Sequence, residues 1–428
     1  MEIVKKILED VRKNGDKAIL KYNKKFDGNS SKSFQLTPAQ IKEAYAKVDK
    51  KAIKTLKEAA KNIKSFAKEQ LKQFKNFNLK KKYGNLGQRV IPLDIVGCYV
   101  PGGRYPLPST ALMTVIPARV AGVKEIIVCS PKIVPVTIVA ADLAGADKIF
   151  NIGGVQAIAG MTYGTRQIPK VNKIVGPGNQ YVTEAKRQVF GEVGIDFIAG
   201  PSEVLIIADE TGNPGFIAAD LLAQAEHDVE AKANLLTTSP EIAKEVAVEL
   251  RIQLARLITK ETAARSLKNS EIKIVKNIDE AITLANKMAP EHLELQLKNP
   301  NKIINKLRNY GSLFIGNYSA EVLGDYCAGT NHTLPTGGAA KYTSGLSVKD
   351  FIKIATYQNI NAQNGKKLMK IAAELAELEG LDGHRQAALI RLSKENLNKS
   401  KKPQKIERRG NKTIQKALNR SDWGVQAF

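Results

Sequence analysis

Several things are scarce in this chain of 428 residues, and each scarcity narrows the reading. No apolar run reaches the length needed to cross a bilayer, which excludes a membrane-spanning helix. The opening Met1-Glu-Ile-Val-Lys-Lys-Ile-Leu-Glu-Asp10 is a charged amphipathic pattern without the apolar core of a signal peptide. Cysteine appears three times, as Cys98, Cys129 and Cys327, far apart and without C-x-x-C spacing. That pattern argues for reduced thiols and a cytoplasmic protein. The dinucleotide fingerprint G-x-G-x-x-G is absent. Histidine is limited to four positions, His227, His292, His332 and His384. Each sits beside carboxylate or amide side chains, in Gln-Ala-Glu-His-Asp, Ala-Pro-Glu-His-Leu, Gly-Thr-Asn-His-Thr and Leu-Asp-Gly-His-Arg. Four histidines in such settings suggest one shared metal and acid–base site, against the plainer reading of four unrelated surface or capping residues.

Positive charge is abundant. The net charge of +24 invites a nucleic-acid reading, but its distribution weakens it. The excess lies in Lys51–Arg89, where Glu58 and Glu69 are the only acids, and in Lys399–Phe428. The central region is closer to balance, and no nucleic-acid motif is present. The excess reads as a solvated lysine-rich surface plus a basic tail, with no nucleic acid as the main partner.

At 43% hydrophobic residues the chain has ample core material, and its length calls for more than one subdomain. Residues 3–26 read as one amphipathic helix, and Thr37-Pro38 reads as the cap and first residue of the next. A helical pattern continues to about Lys75. From Val90 short β-branched runs alternate with helical stretches, at 91–100, 125–129, 148–152, 173–175, 204–208, 234–237, 271–275 and 312–315. That rhythm predicts βα units, and the number of runs fits two Rossmann-like parallel sheets better than one. Beyond Ser347 the pattern reads as helical, broken at Gly380 and Gly383.

Asn213-Pro214 marks a helix start, so Gln224 and His227, three apart, share one helix face and can reach one metal ion. Asp325 and His384 are candidates for the remaining ligands. A set of N and O donors without thiolate suits Zn²⁺ or a similar ion. Glutamine is an uncommon ligand, and its place in the set rests on the resemblance given below. Glu291-His292 follows Ala289-Pro290 and enters a strand, His292-Leu-Glu-Leu-Gln296, so an acid and an imidazole stand ready to divide two proton transfers. The plainer reading is a turn acid before an edge-strand histidine. Glu379 and His384 flank a Gly-Leu-Asp-Gly turn, in which Asp382 would cap the next helix. Two loops rich in glycine and proline, Val100–Ser109 and Gly176-Pro-Gly-Asn179, follow strand-like runs and would let backbone amides approach a nucleotide.

Taken together, these segments closely resemble the histidinol dehydrogenase family. The resemblance is carried by Tyr99-Val-Pro-Gly-Gly103, Gly153-Gly-Val-Gln-Ala157, Gly176-Pro-Gly-Asn179, Ala199-Gly-Pro-Ser-Glu-Val204, Gln224-Ala-Glu-His-Asp228, Ala289-Pro-Glu-His-Leu293, Gly324-Asp-Tyr-Cys-Ala-Gly-Thr-Asn-His332 and Glu379-Gly-Leu-Asp-Gly-His384, over about residues 1–395. It implies a cytoplasmic, zinc-dependent, four-electron oxidation of L-histidinol to L-histidine through L-histidinal with two NAD⁺. It implies Gln224, His227, Asp325 and His384 as zinc ligands, the last from a partner subunit, and hence an intertwined homodimer. It implies Glu291 and His292 as the catalytic pair. Ser202, His332 and Glu379 would join His292 and the zinc ligands around the substrate, and Tyr99, Gln156 and Asn179 would contact NAD. The implied domains are 1–98 with 203–340 (zinc and catalytic residues), 99–202 (the NAD side), 341–395 (small helical dimerisation segments) and a basic extension over 396–428. Cys327 is expected to pack rather than to react. Two other readings stay open on the residues alone: a zinc hydrolase or lyase using Glu291 on a metal-bound water, and a basic nucleic-acid-binding protein.

Overall fold

The computed structural model describes residues 1–102, 105–198 and 200–392, so the basic extension expected over 396–428 lies outside the described residues. The chain forms two compact units, Met1–Lys75 with Val90–Ile354, and Asn76–Arg89 with the segment from Ala355 onward.

The first unit begins with helices α1 (Glu2–Asn14), α2 (Asp16–Asp27), α3 (Pro38–Lys47) and α4 (Lys50–Leu71). In α1 the spacing of Val4, Ile7, Leu8 and Val11 puts one apolar stripe inward. The single helix expected over 3–26 is two, because Gly15 takes φ 52°, a conformation that ends α1 and turns the chain into α2. Thr37 caps α3 in a reciprocal box with Gln40, as its sequence predicts.

After the hairpin β1 (Phe77–Lys81) and β2 (Gly84–Pro92), the chain lays down β3 (Ile95–Tyr99), α5 (Pro108–Ala121), β4 (Glu125–Cys129), α6 (Pro135–Ala144), β5 (Lys148–Phe150), α7 (Gly154–Tyr163), β6 (Lys173–Val175), α8 (Gln180–Val189) and β7 (Gly194–Ile195). These strands form a parallel sheet of order β5-β4-β3-β6-β7. A second parallel sheet follows from β8 (Glu203–Ala208), α9 (Pro214–Ala225), β9 (Lys232–Thr237), α10 (Pro240–Arg256), α11 (Lys260–Ser266), β10 (Ile272–Ile274), α12 (Ile278–Met288), β11 (His292–Gln296) and β12 (Ser312–Ile315), with α13 (Glu321–Tyr326) after it. Its order is β10-β9-β8-β11-β12.

Both sheets therefore wind outward from their first strand, return, and wind the other way. The direction reverses between β3 and β6 in one sheet and between β8 and β11 in the other. Their strands are buried on both faces, which is why they read as unbroken apolar runs. The N-terminal helices pack on the sheet of residues 95–195: Val4, Ile7 and Ile19 share a core with Ile127, Phe150 and Ile158, and Ile63 and Ala67 share one with Val115 and Ile126. The sequence reading grouped 1–98 with 203–340. Sequence adjacency gave no sign that these helices cover the other sheet.

The second unit holds the remainder of the third sheet, of order β1-β2-β13, where β13 is Ile352–Ile360, together with α14 (Lys366–Leu378) and α15 (Asp382–Leu389). Strand β13 corrects the helical reading of everything beyond Ser347. Its exposed sequence Ile-Lys-Ile-Ala-Thr-Tyr-Gln-Asn-Ile is β-branched, yet it lacks the apolar density of the sheet strands. Helix α15 starts at Asp382 itself. Its carboxylate lies in the first turn and accepts from Gln386 Nε2 at 3.2 Å, so the helix is not capped by that residue. Among the described residues no helix is long and apolar enough to cross a membrane.

Candidate active site

Helix α9 begins at the Asn213 cap, whose Oδ1 accepts from Phe216 N at 3.0 Å, and ends at Ala225. Gln224 thus lies in its last turn, fully buried, and His227 lies in the turn beyond it, 41% exposed. Opposite them β11 alternates. His292, Glu294 and Gln296 point to one face and Leu293 and Leu295 to the other, where they join the core with Leu205 and Ile207.

The polar face meets α13. His292 Nε2 lies 3.3 Å from Asp325 Oδ1 yet makes no protein hydrogen bond, and Asp325 Oδ2 lies 4.0 Å from His227 Nε2. On the other side of the ring, Nδ1 stands 3.4 Å from the Glu203 carbonyl oxygen and 3.8 Å from Glu291 Oε2. Glu291 is fixed by its Oε2, which accepts from Glu203 N at 3.0 Å. The Gln224 amide, oriented so that both ends are satisfied, accepts from the same Glu203 N at 2.9 Å and donates to Glu321 Oε1 at 3.0 Å. His332 places Nδ1 2.8 Å from the Asp325 carbonyl oxygen and Nε2 3.2 Å from Thr110 Oγ1 of α5. A cavity of about 400 Å³ opens beside His227, walled by Thr55 and Leu56 of α4, Tyr105, Leu107 and Tyr326.

The cluster is strongly acidic. Burial pushes Glu291 up to about 8, and burial pushes Glu321 well above the usual carboxylate range. For His292 burial works downward, but the charges of Glu291, Asp325 and Glu321 outweigh it and raise the imidazole to about 10. Burial opposes ionisation of Asp325, yet the adjacent His292 holds that carboxylate below its ordinary value. The arrangement can pass a proton between an imidazole and the carboxyls around it, and Asp325, the carboxylate that His292 keeps ionised, offers negative charge to a cation.

The structure brings Gln224, His227, Glu291, His292, Asp325 and His332 together in the first unit. Ser202, half-buried, immediately precedes β8 and accepts from Lys232 N at 3.0 Å through its carbonyl. Glu379 and His384 are exposed residues of the second unit, on either side of the turn at Gly380. The three expected nucleotide contacts stand at the C-terminal ends of the first sheet. Tyr99 ends β3, Gln156 opens α7 after β5, and Asn179 caps α8 after β6. Tyr99 is buried and its hydroxyl accepts from Gly154 N at 3.0 Å. Cys327, expected to be packed, is exposed, because α13 ends at Tyr326 and turns the next side chain outward.

Sequence reasoning missed Glu203, Glu321, Glu294 and Asp220, the last two joined through Gln296 Nε2, which donates to Glu294 Oε1 at 3.4 Å and to Asp220 Oδ2 at 3.5 Å. Strand alternation would have found Glu294, two residues past His292. Helical spacing would have found Glu321, four before Asp325, and Asp220, four before Gln224. Glu203 left only the faint signal of an acid heading an apolar strand.

Two parallel α/β sheets with an acid–imidazole cluster at their junction define an α/β enzyme built for proton transfer. The comparisons narrow the class. A profile of the histidinol dehydrogenase family matches residues 1–392. The histidinol dehydrogenase of Methanocaldococcus jannaschii is 48% identical over 394 residues, 91% of this chain and 92% of that protein. That of Bacillus cereus is 47% identical over 397 residues, 92% of each. The crystal structure of histidinol dehydrogenase from Elizabethkingia anophelis superposes with a TM-score of 0.88 at 40% identity, covering 93% of this chain and 92% of that one. The chain belongs to the histidinol dehydrogenase family. It is therefore an NAD-dependent oxidoreductase of histidine biosynthesis.

Proposed function

We propose that the protein oxidises L-histidinol to L-histidine through L-histidinal in a zinc site shared between two copies of the chain, reducing two NAD⁺. The observation that carries this reading is the contact of His292 with Glu291 on one side and Asp325 on the other. A base and an acid stand there beside a candidate metal ligand.

The residues fit zinc in part. His227 Nε2 and Asp325 Oδ2 are 4.0 Å apart, close to the ~3.4 Å between two ligands of a tetrahedral zinc with bonds of ~2.1 Å. Gln224 Oε1, which accepts one hydrogen bond, keeps a second lone pair. Among the described residues no three His, Cys, Asp or Glu side chains converge on a metal-holding point. The missing donor is His384 of a second copy, which makes the site incomplete in a monomer and the assembly an intertwined homodimer. Glu379, beside that histidine in sequence, would accompany it to the substrate.

Zinc, when bound, supplies positive charge that positions the substrate's imidazole and amino nitrogens and offsets the acidic field around His292. Tyr99, Gln156 and Asn179, at the C-terminal ends of the first sheet, would hold NAD⁺, which would supply the two-electron acceptor for each oxidation. His292 takes the proton of the alcohol in the first oxidation. Glu291 takes a proton from the water that adds to the aldehyde, and His292 takes the proton of the resulting hydrate in the second. Ser202 and His332 contribute hydrogen bonds to the substrate. These proton transfers need no thiol. The reading places the enzyme in the cytoplasm.

The test is metal content together with subunit mixing. Wild-type protein should carry one zinc per subunit. His384→Asn and Asp325→Asn should each lose metal and activity, and co-refolded heterodimers of the two should regain metal at one site and part of the activity. Confirmed heterodimers that stay metal-free would show that each subunit builds its own site.

A further inference from the structure

The loop Gly176-Pro-Gly-Asn179 leaves β6 at the point where the first sheet reverses direction. Gly176 takes φ 112°, and a Cβ there would stand 2.1 Å from the Tyr99 carbonyl oxygen, so the loop is pressed against the end of β3. Both polar ends of Gly176 are held by charged side chains. Its N–H donates to Asp196 Oδ2 at 2.8 Å, and its carbonyl accepts from Lys186 Nζ at 2.9 Å. Lys186 and Asp196 also form an ion pair with each other, with side chains 3% and 1% exposed. Asp196 Oδ1 further accepts from Phe197 N at 2.8 Å, the first residue of the connector into Ser202 and β8.

A buried ion pair is costly to desolvate and contributes little to stability over apolar residues of the same shape. This pair spends its remaining hydrogen-bonding capacity on one loop backbone and one connector. The segment it fixes carries little of its own to pack: Gly176 and Gly178 have no side chain, Pro177 is half-buried and Asn179 is exposed. Asn179 is committed through Oδ1 to Tyr181 N at 3.0 Å and Val182 N at 3.1 Å, so its Nδ2 is aimed only as well as the loop is placed.

We infer that the buried Lys186–Asp196 pair is a positioning device that fixes the Gly176–Asn179 loop for the dinucleotide and ties it to the connector leading into the catalytic cluster. This rests on the cofactor placement proposed above. Neither residue touches the reacting atoms. Their effect is on where the loop amides and Asn179 stand.

The experiment uses the full-length dimer with Asp196→Asn, Lys186→Met, the charge-neutral double variant Lys186→Met/Asp196→Asn, and Asn179→Ala as a marker of the cofactor site. Binding of NAD⁺ without substrate is measured by calorimetry, steady-state constants are measured for both substrates, and amide hydrogen exchange is followed over 176–183. Each pair variant should weaken NAD⁺ binding and raise its KM about tenfold, as expected for losing one charge-assisted hydrogen bond to the loop. kcat and the KM for histidinol should stay within about twofold of wild type, since neither residue reaches the reacting atoms. Loop amides should exchange about tenfold faster, in proportion to the lost restraint. If the single variants do not fold, the double variant, which leaves no unpaired buried charge, carries the test. A folded pair variant that loses thermal stability but binds NAD⁺ like wild type, while Asn179→Ala weakens it, overturns the inference and leaves the cofactor placement standing. If Asn179→Ala also binds like wild type, the cofactor placement fails and the inference with it.

Discussion

His292 is held by backbone on one side and a carboxylate on the other, and its Nε2 has no protein hydrogen bond. A buried ring nitrogen left in that state suits the role of base proposed for it. His292→Ala should lower kcat for histidinol and for supplied histidinal alike by about 10² to 10⁴, the usual worth of a positioned base. It should leave zinc bound, because His292 is not among the proposed ligands, and loss of metal in that variant would refute its role. Glu291→Gln keeps the hydrogen bond from Glu203 N but gives up the proton acceptor. Its effect should be larger on histidinal oxidation than on the first step, as measured by single-turnover rates on each substrate, whereas equal loss would remove the water-activating role. Residue type and neighbours led to the expectation that His227, His292, His332 and Asp325 lie together, as they do, whereas His384, expected with them, belongs to the second unit. The acids packed with them were passed over: Glu203 heads an apolar strand, and Glu294 and Glu321 emerge only when the strand and helix periods are followed from His292 and Asp325.

At the level of elements, the hinge between α1 and α2 carries a small electrostatic clasp. Asp10 accepts from Asn14 Nδ2 at 2.7 Å and from Lys21 Nζ and Tyr22 Oη at 2.8 Å each. The bond from Lys21, with those from Asn14 and Tyr22, lowers the Asp10 carboxyl to about 2. A carboxyl depressed on folding stabilises the native state above its unfolded value and loses that contribution as pH falls toward the folded one. Asp10→Asn should therefore cost stability at pH 7, by no more than about 1 kcal/mol given solvent screening. Denaturant titrations should show the cost shrinking between pH 4 and 2, and a difference that persists undiminished at pH 2 would mean the clasp acts through packing. Sequence gave the buried strands and the caps at Thr37 and Asn213, where apolar density and capping chemistry are local. It merged α1 with α2, since one glycine in an amphipathic pattern does not announce its φ. It also missed β13, an exposed strand whose pairing is set by a partner far away in the chain.

At the scale of the molecule, two sheets of the same winding order serve different ends. The first offers the C-terminal ends of β3 and β6, the usual ligand edge of such a sheet. The second offers the N-terminal ends of β8 and β11, where Glu203, Glu291 and His292 stand. The alternation of strands and helices was readable and predicted both sheets. The packing of the first four helices on the 95–195 sheet was not, because amphipathic helices carry no address. The activity proposed for this architecture is two NAD-linked oxidations of a metal-held substrate. Its most direct test is the NADH absorbance formed from limiting L-histidinol with excess NAD⁺ and purified protein, with and without a chelator. Two NADH per histidinol, abolished by the chelator and restored by zinc, is the predicted result. One NADH per histidinol, or full activity in the metal-free protein, would contradict it.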